Sequence, residues 1–151
     1  MKKFQTEIDK LKAIHKRVKD LIEQYPPERR EMIIFDKWSL KDVVAHLNTW
    51  MEDDLKALEN LVSGKEPYWE PDVDAFNKHG VDARKRMKWE DVYEEFVILI
   101  EKLNITYNNL PDHLFETKMW GKHDGTPLRS IHVDIKHWEG EHIPSLESNL
   151  K

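Results

Sequence analysis

Cysteine is absent from the chain, and glycine is scarce, with 5 in 151 residues. Without cysteine there can be no disulfide bond, no zinc–thiolate site and no catalytic thiol. No apolar run approaches the roughly 20 residues that a membrane-spanning helix needs. The first residues, MKKFQTE, lack the apolar segment of a signal peptide. We therefore expect a cytoplasmic protein that has no membrane association.

An excess of positive charge is also missing. The chain has 24 Lys and Arg against 29 Asp and Glu, which gives a net charge of -5 at pH 7. Proteins that bind nucleic acid usually present a basic face to the phosphate backbone. The basic run at residues 84–88 has no interleaved aromatic residues that could stack on bases. We therefore expect no nucleic-acid partner.

The chain does contain strong helical periodicity, and no segment alternates as a strand would. Apolar residues recur every three or four positions over residues 3–24, 40–63, 89–110 and 127–148. Ser39 and Thr126 stand before two of these stretches as N-cap residues, and Asp42 nearly completes a capping box behind Ser39. A weaker pattern predicts a short extra helix over residues 72–86. We expect residues 1–151 to form one all-α domain, a four-helix bundle with that short helix in the crossover between the second and third main helices.

Two histidines are predicted to face inward as a pair. His142 falls on the core stripe of the last helix, and Glu139 lies one turn before it. Glu-x-x-His places a carboxylate and an imidazole on one helix edge, as in carboxylate-bridged metal bundles. His46 lies at the edge of the apolar stripe of the second helix. The alternative for each histidine is a purely structural, hydrogen-bonded core residue.

His137 is a third candidate, and its role depends on the shape of the last helix. In a regular helix it points about 140° away from His142, because each residue turns the helix by about 100°. Gly140 and Pro144 weaken the helix between and beyond them. A π-bulge there would bring both histidines onto one face. The alternative is that the helix kinks or ends near Ile143 and leaves His137 in water.

The remaining polar residues are weaker candidates. His132 could flank the site from the last helix. The other histidines are predicted to be surface residues: His15, His79, His113 and His123. The acidic residues of the second helix are predicted to lie mostly on its polar side: Asp42, Asp53 and Asp54.

Three segments resemble a known family. Residues 38–47, WSLKDVVAHL, resemble the start of the second helix in the DinB-like superfamily, where a W-S-x-K-D-x-x-x-H-L segment carries a metal-binding histidine. Residues 72–77, DVDAFN, followed by Val81 and Arg84, look like the middle segment of the ClbS/DfsB-type branch. Residues 137–142, HWEGEH, look like the terminal H-Y-x-E-H element of that branch.

The resemblance implies an up-down four-helix bundle, often a homodimer. It also implies a divalent metal, commonly nickel or zinc, held by one histidine of the second helix and two of the last. His46 matches the first ligand and His142 the last. The family spacing between the last two ligands is four, whereas here it is five. The middle position is therefore either His137, brought in by a bulge, or Trp138, which cannot bind a metal.

Two classes of function follow from the resemblance. The first is a divalent-metal-dependent enzyme, a hydrolase or thiol-dependent transferase that acts on a small reactive molecule. In it, His46, His137 and His142 hold a metal that activates water or a thiol, and Glu139 or Glu141 acts as a base or orients a ligand. The alternative is a non-catalytic protein that binds a small molecule or protects against it and has lost the metal. A third possibility is a dimeric scaffold whose histidines are structural.

Overall fold

The computed structural model describes residues 2–67, 73–120 and 125–150. Within these residues the main elements are the helices α1 (Gln5–Glu23), α2 (Leu40–Val62), α3 (Val73–Ala83), α4 (Trp89–Asn109), α5 (Pro127–His137) and α6 (Ile143–Asn149). A π-helix over Trp138–His142 joins α5 to α6 without a break. The predicted all-α class is confirmed. The predicted start of the short helix at Asp72 lies outside the described residues.

A small hairpin precedes α2 and was not predicted. Strands β1 (Ile33–Phe35) and β2 (Trp38–Ser39) pair antiparallel. Asp36 makes the turn between them with a positive φ of 59°, a conformation that Asp tolerates better than most residues. Because the turn contains no glycine and the strands are so short, the sequence carries no clear hairpin signal.

The end of the hairpin begins α2. The Ser39 hydroxyl accepts a hydrogen bond from the Asp42 N–H at 3.1 Å, and the Asp42 carboxylate accepts one from the Ser39 N–H at 3.0 Å. These two bonds form the predicted capping box. The cap therefore fixes the residue at which α2 begins.

The core lies where the long helices meet. Helix α2 packs against α4, while α1 packs against α4, α5 and α6. The largest fully buried side chains of these helices are aromatic or branched, among them Ile8, Leu11, Leu47, Leu58, Phe96, Leu103 and Tyr107. These residues belong to the predicted apolar stripes, which repeat at helical spacing. Burial of those stripes holds the helices together.

The short helix α3 is held on α2 by a close contact and by one arginine. A Cβ built on Gly80 would lie 2.1 Å from the Thr49 hydroxyl oxygen, so only glycine fits at this crossing. The Arg84 guanidinium donates hydrogen bonds to Thr49 at 2.9 Å and to Glu95 of α4 at 2.6 Å. It also pairs with Glu52 at 3.3 Å. These bonds fix α3 over the middle of α2.

None of the described helices is both long and apolar enough to cross a membrane.

The crossing of α2 and α3 gives a first prediction. We expect Gly80→Ala to lower the free energy of unfolding by about 1–3 kcal/mol, because the added methyl group overpacks the contact with Thr49. Gly140→Ala is the matched control, since nothing lies within 4 Å of a Cβ added there. We expect that control to change the stability by less than about 1 kcal/mol. Urea unfolding measures both, and equal stabilities for Gly80→Ala and the native chain would contradict the packing described.

Candidate metal centre

The last helix changes its hydrogen bonding around Gly140. The Ile143 N–H donates to the carbonyl of Trp138, five residues earlier, which is the π-helical pattern. Pro144 has no N–H, so the α-helical bond to the Gly140 carbonyl could not form in any case. The helix therefore runs through a π-bulge into α6. The alternative, in which it stops or kinks near Ile143, is wrong.

The π-helix brings two of the predicted ligands onto one face, and α2 supplies the third. The ring centroids of His137 and His142 are 4.6 Å apart. The His46 ring lies 5.5 Å from that of His142 and 6.4 Å from that of His137. One nitrogen of each ring lies within 4.8 Å of those of the other two. The structure thus places His137, and not Trp138, beside the other two histidines.

Trp138 instead points into the core, where it meets a histidine that was predicted to be exposed. Its ring lies 6.3 Å from Phe96 and 4.8 Å from His15. The prediction for His15 is wrong, because this residue is only 1% exposed. It follows Leu11 by one turn on the buried face of α1, and its Nδ1 lies 3.2 Å from the Asn104 amide oxygen. Burial lowers the pKa of His15 to about 4, so it is a neutral core residue at pH 7.

The other histidines lie where the sequence placed them or outside the described residues. His132 is exposed on α5 and is not part of the histidine cluster. His79 and His113 are exposed as predicted. His123 lies outside the described residues. The three-histidine cluster is the one group of potential metal ligands that the described part of the chain brings together.

One of the two predicted supporting carboxylates contacts the cluster. The Glu141 carboxylate lies 3.1 Å from Nδ1 of His137. A carboxylate at one ring nitrogen orients the imidazole and leaves the other nitrogen for a metal. Glu139 is exposed, and no contact with the cluster is recorded for it.

The two more enclosed histidines have the protonation state that a metal requires. Nδ1 of His46 and Nε2 of His142 are buried and have no hydrogen-bond partner within the described residues. Burial and, to a smaller extent, the charge of His137 lower the pKa of His46 to about 4, although a hydrogen bond with Asn77 acts in the opposite direction. Burial, with His137 and His46 nearby, lowers the pKa of His142 to about 3. Both are therefore neutral at pH 7, with a free lone pair to donate.

Neighbouring elements hold His46 in place. The hairpin lays Trp38 against it, with ring centroids 5.1 Å apart. Helix α3 brings Asn77 to its other side, and the Asn77 amide oxygen also accepts a hydrogen bond from the Trp50 indole. A cavity of about 260 Å³ opens beside His46, His137 and Trp50. The cluster is therefore accessible to a small molecule from this side.

Sequence reasoning missed an acidic pair in the same cavity. The prediction that Asp42, Asp53 and Asp54 lie on the polar side of α2 is wrong, because all three are buried. Asp54 follows His46 by two turns, so the same helix face carries both residues. Its side chain is hydrogen-bonded to that of Asp134 on α5. The spacing of His46, Trp50 and Asp54, each four residues after the last, was the signal that could have revealed it.

Burial changes the protonation of this pair. It raises the pKa of Asp134 to about 6. It raises the pKa of Asp54 well above its usual range, and the charges of Asp134 and Asp53 add to the effect. The pair therefore holds a proton at a pH where exposed aspartates have lost theirs.

Comparisons with protein-family models, curated proteins and solved structures give no match for this chain. Its function is therefore argued from the geometry of the histidine cluster and of the cavity beside it.

The buried acidic pair predicts a pH-dependent stability. Aspartates with a raised pKa bind their proton more tightly when folded, so their stabilising contribution is complete below about pH 4 and is lost as the pH rises through about 6. We expect Asp54→Asn to remove much of this loss and to be more stable than the native chain at pH 8, by on the order of 1 kcal/mol.

Urea unfolding over a pH series measures this effect. The control is Glu59→Gln, an exposed carboxyl on the same helix, whose stability should follow that of the native chain. Parallel pH profiles for Asp54→Asn and the native chain would show that the pair does not titrate as described.

Proposed function

We propose that the chain is a divalent-metal-dependent enzyme that acts on a small reactive molecule, as a hydrolase or a thiol-dependent transferase. The observation that carries this proposal is the meeting of His46, His137 and His142, one nitrogen of each lying within 4.8 Å of those of the others. Three protein ligands with an open coordination position are typical of catalytic zinc sites. Nickel and zinc are the metals we expect.

We also propose that the fold is a DinB-like four-helix bundle. Its four helices would be α1, α2, α4 and the continuous α5–π–α6 helix, with α3 in the crossover between α2 and α4. The packing of α2 on α4 and of α1 on α5 and α6 supports this arrangement. So does the position of His46 within the segment that resembles the family. The resemblance also implies a homodimer, which remains a prediction for a measurement of mass in solution.

The residues of the cluster fit a metal ion by their chemistry. Two nitrogens, Nδ1 of His46 and Nε2 of His142, are buried without a partner in the described structure. In a tetrahedral site with zinc–nitrogen bonds of about 2.0–2.1 Å, neighbouring nitrogens lie about 3.4 Å apart. The rings would therefore have to approach one another slightly. The open cavity beside the cluster gives them room to rotate.

A bound metal would supply an activated water or thiolate at neutral pH. The surrounding residues then have distinct tasks. Glu141 holds the Nδ1 proton of His137 and directs its other nitrogen to the ion. Trp38 and Asn77 keep the His46 ring in one orientation, and the indole of Trp50 walls the cavity. A substrate would reach the cluster through the cavity, whose wall also includes the buried Trp138.

A second candidate is a non-catalytic protein that binds a small molecule. The five-residue spacing of the last two histidines favoured it, but the π-helix accommodates that spacing. The observation that favours it is the cavity of about 260 Å³ beside the cluster, which could hold a small molecule without a metal. The cavity would serve either function.

Metal binding separates the two candidates. We expect the protein, purified without a His tag, to bind one nickel or zinc ion per chain, measured by mass spectrometry of the metal and by calorimetry. Alanine at His46, His137 or His142 should weaken binding at least 100-fold, because each removes a direct ligand. Glu141→Gln should weaken it about 10–100-fold, because it acts through His137.

The control is His132→Ala, an exposed histidine of α5 outside the cluster, which should bind metal normally. A native chain that binds no ion under saturating nickel and zinc, with an unchanged melting temperature, would refute the metal site and favour the binding protein.

The π-helix gives a sharper test of the same centre. A π-bulge is a one-residue insertion in an α-helix. Deleting Gly140 should therefore convert the segment to a regular helix, in which His137 and His142 become four residues apart and stay on one face. We expect the deletion variant to retain metal binding within about tenfold. A folded variant that has lost the metal would show that the bulge itself is needed, and a circular dichroism spectrum checks the fold.

A further inference from the structure

Two cavities meet at the acidic pair. The inner cavity, of about 260 Å³, is lined by His46 and His137, and the outer cavity, of about 250 Å³, opens further along α5. Asp54, Asp134 and Trp50 line both cavities. The pair therefore forms part of the wall shared by the outer cavity and the inner cavity, which also contains two of the cluster histidines.

Within the described residues, the pair has no cationic partner. A hydrogen bond between two carboxyl groups needs one proton, so the second carboxyl carries a negative charge once it is ionised. No ion pair with a lysine, arginine or histidine of the described residues is recorded for Asp54 or Asp134. Arg129 lines the outer cavity but is exposed and pairs with neither. A buried carboxylate without a counter-charge is costly, and a bound cation would remove that cost.

An unpartnered nitrogen in the inner cavity also points to a ligand. His46 is 7% exposed, lines the inner cavity with the pair, and has no hydrogen-bond partner at Nδ1 within the described structure.

The walls of the pocket are aromatic. Trp50 lies between the two cavities, and Trp120 lines the outer one, with its indole N–H donated to Ser130 at 2.9 Å. Indole faces attract cations as well as apolar groups. Carboxylates flanked by tryptophans form a binding site suited to a ligand with a protonated nitrogen and an apolar group.

We infer that this pocket binds a molecule that carries a primary ammonium group, held by Asp54 and Asp134, while its apolar body packs on Trp50 and Trp120. This inference rests on the proposed function, since it names the substrate class for the same pocket. The ammonium donates charge-assisted hydrogen bonds to the two carboxyls and neutralises them. A substituent on the inner side then reaches the histidine cluster.

Two probes of equal shape test the inference: benzylamine, which is protonated at pH 7.5, and benzyl alcohol, which is neutral. We expect benzylamine to bind at least tenfold more tightly, measured by calorimetry and by tryptophan fluorescence. The preference should persist in metal-free protein, because the ammonium site does not need the metal. The failure of this inference is therefore distinguishable from that of the metal site.

Substitutions locate the binding. Asp54→Asn and Asp134→Asn should each weaken benzylamine at least tenfold and leave benzyl alcohol within about threefold, whereas Glu59→Gln on the exposed side of α2 should change neither. Two variants are used so that the test still stands if one of them misfolds. The comparison of the two probes on the native chain does not depend on any variant. Equal affinities for the two probes, or a preference that survives both substitutions, would overturn the inference and leave the pair as a carrier of a proton only.

Discussion

One hydrogen bond, from the Ile143 N–H to the Trp138 carbonyl, governs the centre of this protein. By spanning five residues instead of four, it widens a single turn of the last helix. Within that turn Trp138 is buried against Phe96, while the rings of His137 and His142 come together with centroids 4.6 Å apart. The same turn thus contributes to packing on one side and to a candidate metal centre on the other. In a regular α-helix of this sequence, the two histidines could not lie on one face.

Helix α2 supplies the complementary half of the site. The capping box at Ser39 fixes its start, and His46, Trp50 and Asp54 recur along it at intervals of four residues. The face that carries them is polar along much of its length and is nevertheless covered. Helix α3 covers it from above through Asn77, and α5 covers it from the side through Asp134. Because the enclosed stripe is polar, it lines a pocket. An apolar stripe at the same place would instead pack as part of the core.

Burial shifts the pKa values at both ends of that pocket, downward for the histidines and upward for the aspartates. It keeps His46 and His142 neutral, because a buried imidazolium would be poorly solvated. It keeps Asp54 and Asp134 protonated to a higher pH than exposed carboxyls, for the same reason. At neutral pH one end therefore offers lone pairs, suited to a cationic metal, and the other offers a carboxyl pair that favours a second cation. A pocket with these two ends can orient a small molecule along its length.

The sequence by itself determined the helices, because apolar periodicity and caps such as Ser39 and Thr126 are local properties. It also singled out His46, His137 and His142, but left open whether they meet. Only the tertiary structure decided that, since the meeting needs both the π-helical bond from Ile143 to Trp138 and the placement of His46 of α2 beside that turn. The short hairpin and the burial of His15 were likewise beyond the sequence, and the spacing on α2 signalled Asp54 but not its partner Asp134. Each of these features depends on which neighbouring element packs over a residue. That burial in turn decides the protonation and the hydrogen bonding of a polar side chain.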